Sequence, residues 1–365
     1  MADRSAYGTG GLAFDKSRMT WPNEVNVFLA LILLIGIFEL LGQLLPYMNN
    51  QSLLFDFNTK RDGTILNMAR IKIIILQVSI IGIIALGSTQ VIISGGIDLS
   101  PGSIVGASVM IAMSFAQTEL VNGNPNPKAI FGPWAMDLPV IVPILVALAC
   151  GIAAGATNGF LIAYTRIPPF IATLGMMVTA RGISKWWSKG APVSFPTEEF
   201  GLIGNGLGGW MPVVIFVSLA ALFHIILRYT VYGKHTYAIG SNEEAARVSG
   251  ISVSRHKVMI YAIAGMLAGV SALVLSSKNL TAQAGMGLMY ELDAIAMTVI
   301  GGVSLAGGRG SIVGTVLGAL IFGVIISGFT YLRLDAFYQE MVKGVIIVSA
   351  VVLDQWRQRR AAART

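Results

Sequence analysis

Long apolar runs separated by short polar or glycine-rich breaks organise almost the whole chain. A membrane-crossing helix needs about 20 predominantly apolar residues, and shorter runs fit half-spans or tilted segments. On that measure the candidate spans are 25–45, 71–93, 101–118, 139–163, 169–187, 211–228, 258–276, 289–302, 311–331 and 338–356. The pattern predicts an all-α integral membrane protein, a polytopic bundle of about ten transmembrane helices with broken or half-spanning members. Within the runs Gly151, Gly155 and Gly159 recur at every fourth residue, as do Gly265 with Gly269 and Gly314 with Gly318. Small residues at that spacing let helix backbones approach closely in lipid.

Two of the breaks echo each other. SGGIDLSPGSIVGASVMIA (Ser94 to Ala112) aligns with IGGVSLAGGRGSIVGTVLGAL (Ile300 to Leu320). Each reads Gly-Gly, a short polar stretch, Gly-Ser-Ile-Val-Gly and a new apolar run. In the first copy Ser100 is placed to cap the next helix, with Pro101 in its first turn. The second copy contains G-x-G-x-x-x-G from Gly308 to Gly314, close to a phosphate-cradling loop. A nucleotide loop needs a strand before it and a βαβ unit around it, and no Gly-Lys-Ser/Thr occurs in the chain. The glycines therefore mark broken backbone in or beside the bilayer, tolerated where protein or a water-filled cavity satisfies it. Paired interruptions of this kind resemble those of transporters, although the span count puts both breaks on one side and argues against an inverted repeat.

Composition supports the span pattern. Of 365 residues 55% are hydrophobic and only 12% charged, about half the charged share of a soluble domain. Mean hydropathy is +0.72. The net charge of +7 comes from basic residues scattered through loops and tails, which does not suit nucleic-acid binding. Placing both termini and the loop 229–257 in the cytoplasm puts Arg4, Lys16, Arg18, Arg166, Arg228, Lys234, Arg247, Arg255, Lys257, Arg309, Arg357, Arg359, Arg360 and Arg364 inside. Lys60, Arg61, Arg70 and Lys72 fall outside on that scheme. The expected organisation is a polar tail at 1–24, a membrane domain at 25–356 and a basic tail at 357–365. The tail precedes an apolar run too long for a signal peptide. Cys150 is the single cysteine, and His224, His235 and His256 make no metal-spaced pair, so no metal, cofactor or catalytic site is expected.

Chemistry is concentrated in few places. Asp98 sits in the first break, and Glu291 and Asp293 open the run at 289–302. Carboxylates within a membrane usually face a cavity, an interface or a partner. Hydrogen bonding to a polar solute or to gate backbone is one role. Fixing the break or satisfying a helix start is the other, which the neighbouring helix starts favour for Asp98 and Glu291. Phe170 and Thr173 follow Pro169 and offer a ring and a hydroxyl to a pathway, or else pack. Trp186 and Trp187 beside Lys185 and Lys189 fit an interfacial aromatic belt. In the long loop, Ser241 followed by Glu244 matches a capping box and Gly250 is placed to end the helix. This predicts a two-turn helix from Asn242 to Ser249. Its alanine face, Ala245 and Ala246, with Glu243, Glu244 and Arg247, suits a partner's groove as well as a solvated loop.

Six stretches carry a resemblance beyond any single glycine motif. AIGSNEEAARVSGISV, VIISGGIDLSPGS, NGFLIAYTRIPPFIATLGMM, GGVSLAGGRGSIVGTVLGALI and YQEMVKGVIIVSAVVLD, with YELDAIA, resemble the permease subunits of bacterial ABC sugar importers, the ribose/galactose/xylose/inositol-type branch. The matches run in family order from about residue 70 to 354. The resemblance implies a paired permease subunit, an inner-membrane homodimer, with a cytoplasmic ABC ATPase and a periplasmic sugar-binding protein. It implies no catalysis by this chain. It places Gly240, Asn242, Ala245, Ala246, Ser249 and Gly250, with the neighbouring Glu244 and Arg247, at the ATPase. Ser241 and Glu243 stand where relatives often show glycine and proline, and VNGNPNPKAIFGPWAMDL is an unusual insert. The solute expected is a monosaccharide or cyclic polyol. Alternatives are a branched-chain amino acid or nucleoside permease and, from another class, an ion-coupled secondary transporter, which would need ion ligands near the midplane.

Overall fold

The computed structural model describes residues 23–44, 53–55 and 66–362. Thirteen α-helices occupy these residues: α1 (Asn23–Leu44), α2 (Met68–Ile93), α3 (Pro101–Ser114), α4 (Ile141–Thr165), α5 (Pro169–Trp187), α6 (Glu198–Gly209), α7 (Met211–Tyr229), α8 (Val231–Ser241), α9 (Glu243–Val248), α10 (Val253–Asn279), α11 (Tyr290–Ile300), α12 (Ile312–Tyr331) and α13 (Ala336–Ala362). All ten expected spans fall on helices, but the count of about ten needs correction. Six helices, α1, α2, α4, α7, α10 and α12, are long and apolar enough to cross a membrane, and α3 is a shorter apolar helix. The three uncounted helices have a common cause. α6 is glycine-rich, with non-helical backbone from Gly206 to Gly208, and α8 and α9 are short and polar. None carries an apolar run. The polar tail expected at 1–24 lies outside the described residues as far as residue 22. Helix α13 continues through 357–362, where a tail was expected.

The core forms around α2, buried from Val78 to Ile93, and its neighbours α10, α11 and α12. Glycines set how closely these helices pack. A Cβ on Gly265 of α10 would lie 2.9 Å from the Cα of Gly155 on α4, and one on Gly159 would lie 2.6 Å from Val258 Cα. Gly314 and Gly318 of α12 likewise face backbone of Gly301 and Met297 at the end of α11. Without a hydrophobic driving force between helices in lipid, such close approach supplies the packing and carbonyl contacts that hold a bundle.

Polar contacts sort the two ends of the bundle. At one end α1, both breaks and α8 converge. Ser311 Oγ donates to Glu24 Oε1 at 2.8 Å, Gly308 N to the Ile93 carbonyl at 2.8 Å, and Tyr237 OH to the Gly310 carbonyl at 2.8 Å. The two breaks thus lie on one side, as the span count required. At the other end a short antiparallel hairpin, β1 (Leu120–Val121) with β2 (Asn124–Pro125), and a long-range antiparallel pair, β3 (Val193–Ser194) with β4 (Thr281–Ala282), close the loops. The insert there is ordered by Gln117, whose amide donates to the Lys128 and Ser194 carbonyls and accepts from Ile130 N. Trp187 donates to Ser114 Oγ at 2.9 Å and packs edge-on against Phe131, while Trp186 stays exposed. Trp187 is therefore a packing residue, and only Trp186 keeps the exposure of an aromatic belt. Glu39 in α1 accepts backbone N–H groups of Leu53, Leu54 and Phe55, which satisfies an intramembrane carboxylate.

The α4–α10 contact yields a direct test. Gly155→Val drives a side chain into the α10 backbone and should abolish the monodisperse peak of detergent-purified protein. Gly36→Val, where nothing lies within 4 Å of the added Cβ, should leave that peak unchanged.

Candidate translocation and coupling site

Two clusters meet at the end of the bundle that carries the breaks. The first is α9 and its supports. Asn242, extended at φ −162 and ψ 104, is the N-cap, its side chain accepting from Ala245 N at 3.0 Å. The expected Ser241–Glu244 capping box does not form, because Ser241 is still the last residue of α8 and donates to the Tyr237 carbonyl. The helix is six residues, shorter at each end than the stretch expected from Asn242 to Ser249. Gly250 ends it as expected, at φ +88, with Gly250 N bonded to Arg247 O and Ile251 N to Ala246 O. That pair of bonds is the Schellman arrangement, which needs the left-handed conformation glycine adopts without strain.

The orientation of α9 corrects one expectation. Ala246 is 4% exposed and packs on Ile239 and Val253 of its own chain. It is not available to a partner's groove. Glu244, Ala245, Arg247, Val248 and Ser249 face outward, and Val248 is 88% exposed. Glu243 ties the helix down: Lys257 Nζ of α10 lies 2.7 Å from its Oε2 and Arg247 Nη2 3.1 Å from its Oε1. Gly240 packs so tightly that a Cβ there would overlap the Ile93 carbonyl oxygen and approach Gly308 N at 2.7 Å. A cavity of ≈ 240 Å³ lies beneath α9, walled by Ser94, Gly95, Pro169, Gly240, Glu243 and Tyr261. A second of ≈ 740 Å³ separates α9 from the α4–α5 turn, walled by Arg166, Pro168, Glu244, Arg247 and Ser254.

The second cluster lies behind the first break. Asp98 Oδ1 accepts from Ser100 N at 2.8 Å and from Ser100 Oγ at 2.6 Å. The expected capping of α3 by Ser100 does not occur. Its hydroxyl is committed to Asp98 and accepts from Asn158 Nδ2 of α4 at 2.9 Å. Pro101 does open the helix. In the second break the cap is Ser311, which accepts from Gly314 N. Thr173 is buried and turned toward the first break, bonding the Pro169 carbonyl at 2.9 Å and the Ile97 carbonyl at 3.4 Å. Phe170 points outward and half of it is exposed, so the two do not share a surface. Asp293 is paired with Lys343 of α13 at 3.1 Å, a structural bridge rather than a free carboxylate. Glu291 is buried beside Gly102 of α3, with Oε2 unpartnered.

Sequence reasoning missed Asn158, Arg181, Lys257 and Tyr261. Arg181 Nη1 donates to the Ala284 and Met286 carbonyls, each at 3.0 Å, and so fixes the segment that enters α11. Asn158 and Arg181 interrupt the apolar runs of α4 and α5, and polar residues in such positions usually have a role.

With the geometry in hand, comparison with known proteins decides the family. Residues 70–351 match the family described as branched-chain amino acid transport system / permease component. The chain belongs to this family. It is 38% identical over 336 residues, 91% of its own length and 92% of the relative's, to the ribose import permease protein of Bacillus subtilis. Against the ribose import permease protein of Escherichia coli K12 it is 36% identical over 346 residues, 93% and 95% of the two chains. A galactose/methyl galactoside import permease protein of Haemophilus influenzae is 38% identical over 303 residues, 80% and 88% of the two. No solved structure matches the chain. The family is one of transport components, so this permease is not itself an enzyme.

The clamp on α9 has a pH signature. Burial opposes the Glu243 charge, but the hydrogen bond and charge of Lys257, aided by Arg247, outweigh it and hold the carboxyl below its ordinary value. A lowered carboxyl stabilises the fold above the unfolded pKa of about 4.3, and the contribution is lost as pH falls through the lowered value. The melting temperature of Glu243→Gln should lie below that of the parent at pH 7 by no more than roughly 2 °C, because the group is partly exposed. The gap should close as pH drops from 5 toward and past the lowered value.

Proposed function

We propose that this permease is the transmembrane subunit of an ATP-driven importer that translocates a monosaccharide or cyclic polyol delivered by a periplasmic binding protein. The observation that carries the solute class is the 36–38% identity to two ribose import permeases over 91–93% of this chain. It works as a homodimer in the bacterial inner membrane, with a separate cytoplasmic ABC ATPase supplying the energy. Both termini and the loop 229–257 face the cytoplasm. The convergence of α1, both breaks and α8 at one end of the bundle supports that orientation.

The coupling surface is α9. Helices of six residues are not stable alone, but this one is held by Asn242, by the Gly250 turn, by buried Ala246 and by Lys257. It presents Glu244, Ala245, Arg247, Val248 and Ser249 on a rigid support, with Gly240 and Gly250 setting its approach. An exposed valine flanked by charges is the composition of a small docking knob. Asp98, Ser100, Thr173 and Glu291 belong to the gate side, where they hold the first break and the entry to α11. Phe170, on the outer face of α5, remains the pathway candidate.

The neighbouring alanines separate docking from folding. Ala245→Arg, on the outer face, should leave membrane abundance near normal while ATPase co-purification and uptake fall together. Ala246→Arg should instead lower abundance itself, since burying an unpaired charge costs several kcal/mol. Equal abundance of the two variants would contradict the placement of α9.

Reconstitution tests the whole reading. Permease in liposomes with a ribose-type binding protein and its ATPase should accumulate sugar only when ATP is supplied on the ATPase side. Uptake that follows a proton or sodium gradient without ATP would favour a secondary transporter. Uptake of leucine or a nucleoside, and no sugar, would move the chain to another solute class.

A further inference from the structure

Seven buried side-chain atoms lack a hydrogen-bond partner among the described residues, and three of them, Asp98 Oδ2, Asn158 Oδ1 and Tyr261 OH, border the first break. All three side chains are at most 3% exposed. Asp98 and Asn158 are joined through Ser100 Oγ at 2.6 and 2.9 Å. The Tyr261 hydroxyl sits against Gly96, where an added Cβ would collide with it, two residues before Asp98. Buried polar atoms are almost always satisfied, so three orphans beside one loop require a common explanation.

Donor counting narrows it. An ionised Asp98 only accepts, so Ser100 Oγ must spend its one proton on Oδ1 and is left to accept from Asn158. This fixes the Asn158 amide with its nitrogen on Ser100 and its oxygen free. What remains is two acceptors without donors, Asp98 Oδ2 and Asn158 Oδ1, and one hydroxyl without an acceptor. A molecule that donates twice and accepts once closes the set. A cation bound by the three oxygens would leave the Tyr261 proton unsatisfied, and no group of three or more metal-ligating His, Cys, Asp or Glu side chains exists among the described residues.

We propose that the space behind the first break is a hydration site that binds a single water, which donates to Asp98 Oδ2 and Asn158 Oδ1, accepts from Tyr261 OH, and so ties the break to α4 and α10. Buried waters commonly make about three such bonds and persist because removing them strands polar groups. The ≈ 240 Å³ cavity beneath α9 supplies the route, since Gly95, Gly96 and Tyr261 form part of its wall. The break is then held to α4 by Ser100 directly and to α10 only through the water. Such a latch can open by exchange with the cavity, without stranding the carboxylate.

The site is tested by a double-mutant cycle and a map. Asn158 and Tyr261 make no direct hydrogen bond, so independent orphans would give additive effects. With a shared water, Tyr261→Phe and Asn158→Leu each lower the melting temperature of the purified permease. The double variant then melts within about 1 °C of the lower single, because the bridge is lost once. Additive shifts would overturn the proposal. A cryo-EM map of the unmodified permease in its assembled importer, at a resolution that shows ordered water, should contain one peak within about 2.6–3.2 Å of all three oxygens. The map needs no variant to fold. Tyr261 OH bonded directly to Asp98, no peak, or a peak with five or more oxygen neighbours at cation distances would each refute the water.

Discussion

The carbonyl of Ile93 is the point on which this arrangement depends. Helix α2 stops there, in the buried interior, and while Ser94, Gly95 and Gly96 donate to the carbonyls of Gln90, Ile92 and Val91, that of Ile93 has no such local donor. In a membrane-facing protein an unsatisfied carbonyl is expensive, so the break is possible only if another element supplies the donor. Gly308 of the second break supplies it, at 2.8 Å. The close approach needs space, and Gly240 of α8 and Gly95 and Gly307 of the breaks provide it, since a Cβ on Gly307 would come within 3.1 Å of Gly95 backbone. One hydrogen bond and a set of missing side chains thus bring together two distant repeats and the loop between them. The internal echo has a physical meaning: the second break supplies the donor that the first one needs.

Much of this was legible in the sequence, for reasons that differ from place to place. The apolar runs located every long helix because length and hydropathy are local properties. The glycine spacing located the α4–α10 and α11–α12 contacts because small residues every four positions have one main use in lipid. Helix α6 escaped because five of its twelve residues are glycine, which reads as loop. The orientation of α9 escaped because a six-residue helix has no periodicity to show which alanine faces in. Tertiary contacts with Ile239 and Val253 decide that, and those lie on separate helices. Ser100 misled for a related reason. Its sequence position suits a cap, but its oxygen accepts from Asn158 of α4 instead of a helix N–H, and its proton goes to the carboxylate two residues away.

The buried charges show how a membrane bundle tolerates them. Asp293 has Lys343, and Glu39 has three backbone N–H groups. Each is neutralised or satisfied by a fixed partner, which suits residues that hold helices together. Asp98 and Glu291 differ, because each has one oxygen without a protein donor and each borders irregular backbone, at the first break and at the entry to α11. Fully satisfied carboxylates mark the parts that stay together.

This contrast bears on how force from a partner would reach the gate. With α9 as the coupling surface, a partner that seats on Val248 moves α9 against α8 and α10, to which Ala246 and the Glu243–Lys257 pair bind it. Helix α8 cannot shift alone, because Gly240 is wedged on Ile93 and Tyr237 is bonded to Gly310. Both breaks must therefore respond together. Interfaces packed at backbone distance are bistable rather than continuously deformable, so a small displacement at α9 favours a discrete repacking of the junction. The segment there that carries Asp98 runs from Ser94 to Ser100. Because it spans the end of α2 and the start of α3, its release would loosen two core helices at once.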